Sequence, residues 1–123
     1  MTTRADSVTA FFDRYEAALL ARDAKALASL YDVPSLILFP GRSVPVSEPA
    51  ETEAFFASAF AQYEGVTSVE REVAVIAEAP HSVWTDVTWT FSSRPAERFC
   101  YQLVESGEGL RIAVLTPLPS PTG

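Results

Sequence analysis

The stretch Val83-Trp84-Thr85-Asp86-Val87-Thr88-Trp89-Thr90-Phe91 alternates strictly in side-chain character. Val83, Thr85, Val87, Trp89 and Phe91 share one face, and Trp84, Asp86, Thr88 and Thr90 share the other. That is the period of a strand with one covered face. Further strands surround it. The run from Val66 to Ala77 sets Val69, Arg71, Val73 and Val75 on one side, and Pro80-His81 turns the chain between the two runs. Ser92-Ser93-Arg94-Pro95 turns it again into a strand from Arg98 to Glu105. Ser106-Gly107-Glu108-Gly109 then leads into Leu110 to Thr116. Such turns between alternating runs read as antiparallel hairpins. The stretch from Pro117 to Gly123 is rich in proline, which lacks the N–H a ladder needs, so it is expected to hang free as a tail.

Upstream the period changes from two to three and four. Val8, Phe11, Phe12, Tyr15, Ala18 and Leu19 recur at helical steps, with Asp13, Arg14 and Glu16 on the other side. Thr3 and Asp6 fit a capping box at the start of this helix. Asp23 fits as the N-cap of a second, shorter helix whose apolar face is Leu27, Leu30 and Tyr31, with Pro34 as its stop. Ser35-Leu36-Ile37-Leu38-Phe39 reads as a short apolar strand, closed by the turn Pro40-Gly41. Pro45 and Pro49 make the next stretch an edge strand or a loop. Ser47 is expected to cap a third helix from about Pro49 to Glu64, with Phe55, Phe56, Ala59, Phe60 and Tyr63 as its apolar stripe and Gly65 as its stop. Helices early and antiparallel strands late make an α+β layout. A curved antiparallel sheet with helices over one face leaves a concavity, a natural ligand pocket.

The composition bounds the function. A chain of 123 residues with 48% hydrophobic content suits one globular domain. A single Cys excludes an intrachain disulfide framework, and a single His excludes metal sites built from several histidines. The net charge of -7 argues against nucleic acid or an anionic membrane as the partner. No run approaches the roughly 18 apolar residues of a membrane span, and the first residues carry no apolar signal-type stretch. A cytoplasmic location is therefore the expectation, with no metal or cofactor implied.

The segment Asp13-Arg14-Tyr15-Glu16-Ala17-Ala18-Leu19, followed by Asp23 and by Ala28-Ser29-Leu30-Tyr31, resembles the first two helices of ketosteroid isomerases. The third helix and the four-strand run follow in the same order. The chain thus resembles the nuclear transport factor 2-like superfamily, which includes SnoaL-type cyclases, scytalone dehydratase and limonene epoxide hydrolase. The resemblance implies a cone-shaped, curved antiparallel sheet wrapped around N-terminal helices, also described as cystatin-like, over residues 1–116, with 117–123 as the tail. It implies a SnoaL-like domain with an apolar small-molecule pocket. It also implies that Tyr15 donates a hydrogen bond to a ligand oxygen, with Tyr101 at the second donor position. Phe39 stands where the isomerases carry their Asp base. A phenyl ring accepts no proton, so the isomerase route is not carried over. Thr116 stands where an epoxide hydrolase needs an acid.

The candidate site is therefore Tyr15 and Tyr101 as hydrogen-bond donors in a pocket lined by Phe39, Phe56, Phe60, Arg71, Trp89 and Phe91. Buried phenols need partners for their hydroxyls, in a core as much as in a pocket. Arg71, among valines, either clamps a ligand carboxylate or reaches water. Asp86 faces away from the pocket unless the register slips by one. Trp84 on the outer face fits a homodimer contact. His81 reads as a surface turn residue and Cys100 as a quiet, partly buried thiol. Three functions stay open: an isomerase-, cyclase- or dehydratase-type enzyme on an apolar carbonyl compound, a non-catalytic pocket for a small apolar ligand, and a dimeric association module.

Overall fold

The computed structural model describes residues 3–107 and 109–119. Helix α1 spans Arg4–Leu20 and opens with the expected capping box. The Thr3 hydroxyl accepts the Asp6 N–H at 3.0 Å and the Asp6 carboxylate accepts the Thr3 N–H at 3.4 Å. Its buried stripe is the one the periodicity predicts, Val8, Phe11, Phe12, Tyr15, Ala18 and Leu19. Helix α2, Ala24–Ala28, is capped by Asp23, which accepts the Ala26 N–H at 3.0 Å.

The chain then departs from expectation. Pro34 does not end α2; strand β1 already begins at Tyr31 and runs to Phe39. Tyr31 pairs with Ile112 and Ser35 with Val46, and Pro34 falls in the register shift between them, where no ladder N–H is required. Tyr31 is thereby a buried strand residue rather than part of a helix face. Strand β2, Arg42–Val46, returns along the edge. Helix α3 spans Pro49–Ala59 and tightens into a 3₁₀ turn at Phe60–Tyr63. Its cap is Glu48 rather than Ser47. The Glu51 carboxylate gathers the N–H groups of Ser47 and Glu48 and the Ser47 hydroxyl, and these donors hold it below the usual carboxylate range.

Four long strands complete the domain: β3, Val69–Ala79; β4, Ser82–Phe91; β5, Glu97–Ser106; and β6, Gly109–Leu118. The six strands form one curved, unclosed sheet in the order β2-β1-β6-β5-β4-β3, antiparallel throughout except where β1 lies parallel to β6. Strand β6 runs past the expected end at Thr116, setting Pro117 opposite Phe99 and Leu118 opposite Arg98. Pairing with β1 stops at Leu115, so Pro117 lies where β6 has a neighbour on one side only, and proline is tolerated there. Residues 120–123 of the expected tail, and Glu108 of the last turn, lie outside the described residues.

The alternation of β4 sets the whole sheet. Val83, Thr85, Val87, Trp89 and Phe91 are buried against the helices. Thr85 pairs with Tyr101, Val87 with Phe99 and Trp89 with Glu97, so these β5 residues share the inner face. Val69, Arg71, Val73 and Val75 of β3 do stand on that face, opposite Phe91, Trp89, Val87 and Thr85. Helix α1 meets β3 at Arg71, and beyond it Val73 and Val75 remain open to solvent at 37% and 41% exposure.

Candidate functional site

The aromatic residues of the core leave a cavity of about 360 Å³ between the concave sheet face and the helices. Its floor is fully buried: Tyr15 and Leu19 of α1, Tyr31 of β1, Phe56 of α3, and Trp89, Tyr101 and Leu115 of the sheet. Its mouth is marked by the exposed lining residues Phe55, Ser58 and Gln62. Phe39, Phe91, Phe99 and Pro117 make an apolar collar between the two.

Three phenols and one indole gather on the floor. The Tyr15 and Tyr31 hydroxyls are 2.9 Å apart. The Trp89 indole N–H donates to the Tyr101 hydroxyl at 2.9 Å. The Tyr101 ring meets that of Tyr15 edge-on at 5.9 Å, and the Tyr15 ring stacks on Trp89 at 5.5 Å. Burial raises the pKa of all three phenols well above the ordinary tyrosine value, and the neighbouring Tyr31 phenol adds to that for Tyr15. They are neutral donors across the physiological range.

A proton count decides what this cluster can do. Trp89, Tyr101, Tyr15 and Tyr31 bring one donor proton each, and an indole only donates. Two hydrogen bonds link these four groups in pairs, and each uses one proton. Whichever way the phenols turn, at least one proton has no acceptor among the described residues. Trp89 donates to the Tyr101 oxygen and leaves that phenol's own proton free, and the Tyr15–Tyr31 pair, which uses one of its two protons, holds a second. A buried donor without an acceptor costs roughly 1–3 kcal/mol, and a guest that offers an oxygen relieves it.

Among the described residues one carboxylate lines the cavity. Glu97 opens β5, and its side chain accepts the Tyr63 phenol at 2.9 Å and Arg94 Nη2 at 3.1 Å. Arg94 stacks over the Tyr63 ring, 4.5 Å from its centre, and its Nη1 donates to the Gln62 carbonyl. Burial and the neighbouring Glu97 charge both push the Tyr63 phenol up.

Most of the expected lining converges here: Tyr15, Tyr101, Phe39, Phe56, Trp89 and Phe91 all face the cavity. Two residues do not. Phe60 packs on Phe56 at 6.4 Å from behind, because the helix tightens into its 3₁₀ turn at that point. Arg71 takes up its inward parity only to meet the polar flank of α1, where its guanidinium pairs with Asp13 and, at 2.9 Å, with Glu16. It is a helix-to-sheet tie, not a ligand clamp.

Tyr31 and Glu97 are among the lining residues that escape a reading of the pattern alone. Tyr31 hides behind its helical spacing from Leu27, although the approach to Pro34 already favours extended backbone. Glu97 drops out when the strand is begun at Arg98; begun one residue earlier, Glu97, Phe99 and Tyr101 alternate onto the pocket face.

The outer face is separate. Asp86 pairs with Arg98 through two contacts at 2.9 and 2.5 Å, and this ion pair lowers the Asp86 pKa. Trp84 stands opposite Gln102, half-buried, and Cys100 opposite Asp86, its thiol pushed up by burial. His81 is exposed. Among the described residues no three of His, Cys, Asp and Glu lie together as metal ligands, and no helix is long and apolar enough to cross a membrane.

Comparison with known proteins agrees with this architecture. The family model described as NTF2-like protein (DUF6841) matches residues 5–120. No curated protein matches the chain in sequence. Among solved structures, an NTF-2 like protein of unknown function from Shewanella oneidensis MR-1 superposes with a TM-score of 0.77 at 12% identity, covering 94% of this chain and 98% of its own. A domain of unknown function with a cystatin-like fold from Nostoc punctiforme PCC 73102 gives 0.72 at 20% identity, over 94% of this chain and 78% of that one. Aln2 from a Streptomyces species gives 0.71 at 18% identity, over 90% and 86%. At such identities the likeness is one of fold.

Proposed function

Because this chain belongs to the DUF6841 family of NTF2-like proteins, a fold that by itself names no activity, we propose from its own cavity that it binds a small, flat, apolar molecule presenting a hydrogen-bond acceptor to the phenol cluster. The surplus donor proton on the floor of an apolar cavity carries this reading. Phe39, Phe56, Phe91 and Phe99 supply the apolar contact, and Tyr15 with Tyr31 and Tyr101 supplies the polar point that fixes orientation.

Donors so placed also suit a carbonyl oxygen that gains charge, as in an isomerase, cyclase or dehydratase. Such a reaction needs a proton acceptor within hydrogen-bond reach of the same substrate. The one lining carboxylate, Glu97, is held by Tyr63 and Arg94, four strand residues from Tyr101. At roughly 3.4 Å per residue the two backbone positions lie about 14 Å apart, and both oxygens of the carboxylate already hold a donor. The geometry therefore favours binding over acid–base catalysis. The outer sheet face, centred on the half-buried Trp84, is the proposed homodimer contact.

The test compares 4-acetylbiphenyl with 4-ethylbiphenyl, titrated against tryptophan fluorescence and by calorimetry. The ketone should bind about tenfold more tightly, a factor that corresponds to one net hydrogen bond. Changing Tyr15 and Tyr31 together to Phe removes one of the two free protons and should reduce that preference while leaving the hydrocarbon's affinity in place. Equal affinities for the two compounds, or binding of neither, overturns the reading.

A further inference from the structure

Resting on that reading, we infer that the ligand is two-ended: an acceptor oxygen at the buried end and a hydrogen-bond donor, an amine or hydroxyl, at the mouth, where Glu97 receives it. Strand β5 carries the recognition elements in a line. Glu97, Phe99 and Tyr101 alternate on its inner face, in unbroken register with Trp89, Val87 and Thr85 of β4. The order along the strand is thus acceptor, aromatic ring, donor, spread over about 14 Å of backbone at roughly 3.4 Å per residue. All three line the cavity.

The chemistry of the two ends is opposite. The floor has a proton to give, whereas an ionised carboxylate only accepts. Each Glu97 oxygen has one partner, Tyr63 on Oε1 and Arg94 Nη2 on Oε2, and each retains a second lone pair. Those partners also hold the carboxylate still: Arg94 is stacked on Tyr63 and Phe91 and bonded to the Gln62 carbonyl. A fixed acceptor at the rim of an apolar collar distinguishes ligands by what they carry at that end. Hydrogen bonds to a charged acceptor are about twice as strong as neutral ones, so a donor there is favoured. A ligand carboxylate at the same place meets like charge. No Lys, Arg or His lines the cavity among the described residues to receive it.

The experiment uses four biphenyls on the whole protein, followed by calorimetry: 4-ethylbiphenyl, 4-acetylbiphenyl, 4-acetyl-4′-aminobiphenyl and 4′-acetylbiphenyl-4-carboxylate. The amine should bind about tenfold more tightly than 4-acetylbiphenyl, and the carboxylate more weakly than it. Glu97→Gln keeps the shape and an acceptor but loses the charge. It should cut the amine's advantage over 4-acetylbiphenyl, both measured on the variant, to about threefold or less. No gain from the amine, or a gain that Glu97→Gln leaves intact, overturns the two-ended ligand while the pocket stands. Failure of all four to bind overturns the pocket itself, and this inference with it. Glu97→Asp, which keeps the charge but withdraws it, separates loss of recognition from loss of fold. It should still bind 4-acetylbiphenyl and keep part of the discrimination, and full discrimination in it would refute a positioned Glu97.

Discussion

Arg22 shows how much one side chain decides. It sits in the left-handed region at φ 57°, immediately after α1, where a non-glycine residue costs roughly 1–2 kcal/mol. Its guanidinium donates to the carbonyls of Leu19 and Leu20, which end the helix, and to those of Tyr63 and Val66, at 2.6 and 2.9 Å. The same residue thus closes α1 and ties down the segment that forms the cavity mouth. Arg22→Ala removes all four side-chain bonds, leaving the Leu19 and Tyr63 carbonyls only their backbone donors, and keeps the backbone strain. It should cost about 2–3 kcal/mol. Arg22→Gly loses the same bonds but relaxes the backbone, and should cost about 1 kcal/mol less than the alanine variant. Urea unfolding of the two variants checks the order; an equal loss would mean that the strain is not there. Nothing in the local sequence flags this residue, since its partners are brought to it by the fold.

At the scale of elements, the alternation of β4 is the part of the sheet most plainly written in the chain. Its inner residues are buried and its outer ones are not, so Asp86 lies outside, paired with Arg98. Elements whose ends depend on neighbours were less legible. Tyr31 follows Leu27 at a helical interval, yet pairing with Ile112 draws it into β1. Pro117 reads as a stop, yet β6 carries it because its far side is unpaired there. Phe60 keeps its place on the apolar stripe of α3, but the 3₁₀ turn rotates it behind Phe56. The outer face of β4 bears the proposed dimer contact, which makes a simple prediction. Sedimentation should find a dimer, and Trp84→Glu should weaken it by at least about tenfold, since a charge at a buried interface position is costly. A wild-type chain that sediments as a monomer would refute the contact.

Over the whole molecule, the aromatic core sets the response to alkali. The chain has four tyrosines, Tyr15, Tyr31, Tyr63 and Tyr101, and burial raises the pKa of every one. In the unfolded chain they ionise near pH 10; in the folded one they hold their protons longer. The folded state then binds more protons than the unfolded state, so stability is intact below about pH 10 and falls as pH rises above it. Each group contributes up to about 1.4 kcal/mol per pH unit. Tyrosinate absorbance at 295 nm should therefore appear in one step together with loss of the far-ultraviolet helix signal. A tyrosine that titrates near its ordinary value in the folded protein would show that its phenol is not buried as described.

The sequence by itself determined the class of fold, the inner and outer faces of β4 and β5, and the gathering of Tyr15, Tyr101, Phe39, Phe56, Trp89 and Phe91 on one side. The faces follow from local periods of about two and 3.6 residues, and the gathering is what the family resemblance implies. The resemblance also sets Phe39 where the isomerases carry their Asp base. What only the tertiary structure decided was the company those residues keep. Arg71 is claimed by Asp13 and Glu16 of a helix 55 or more residues away in sequence. Tyr31 joins the phenol cluster and Glu97 the mouth through pairings made across the sheet. Periodicity fixes the side of an element on which a residue stands. Partners depend on which distant segments the sheet and helices bring within hydrogen-bond reach. That distance is a property of the folded chain as a whole, and it is where the donor floor and the acceptor rim arise.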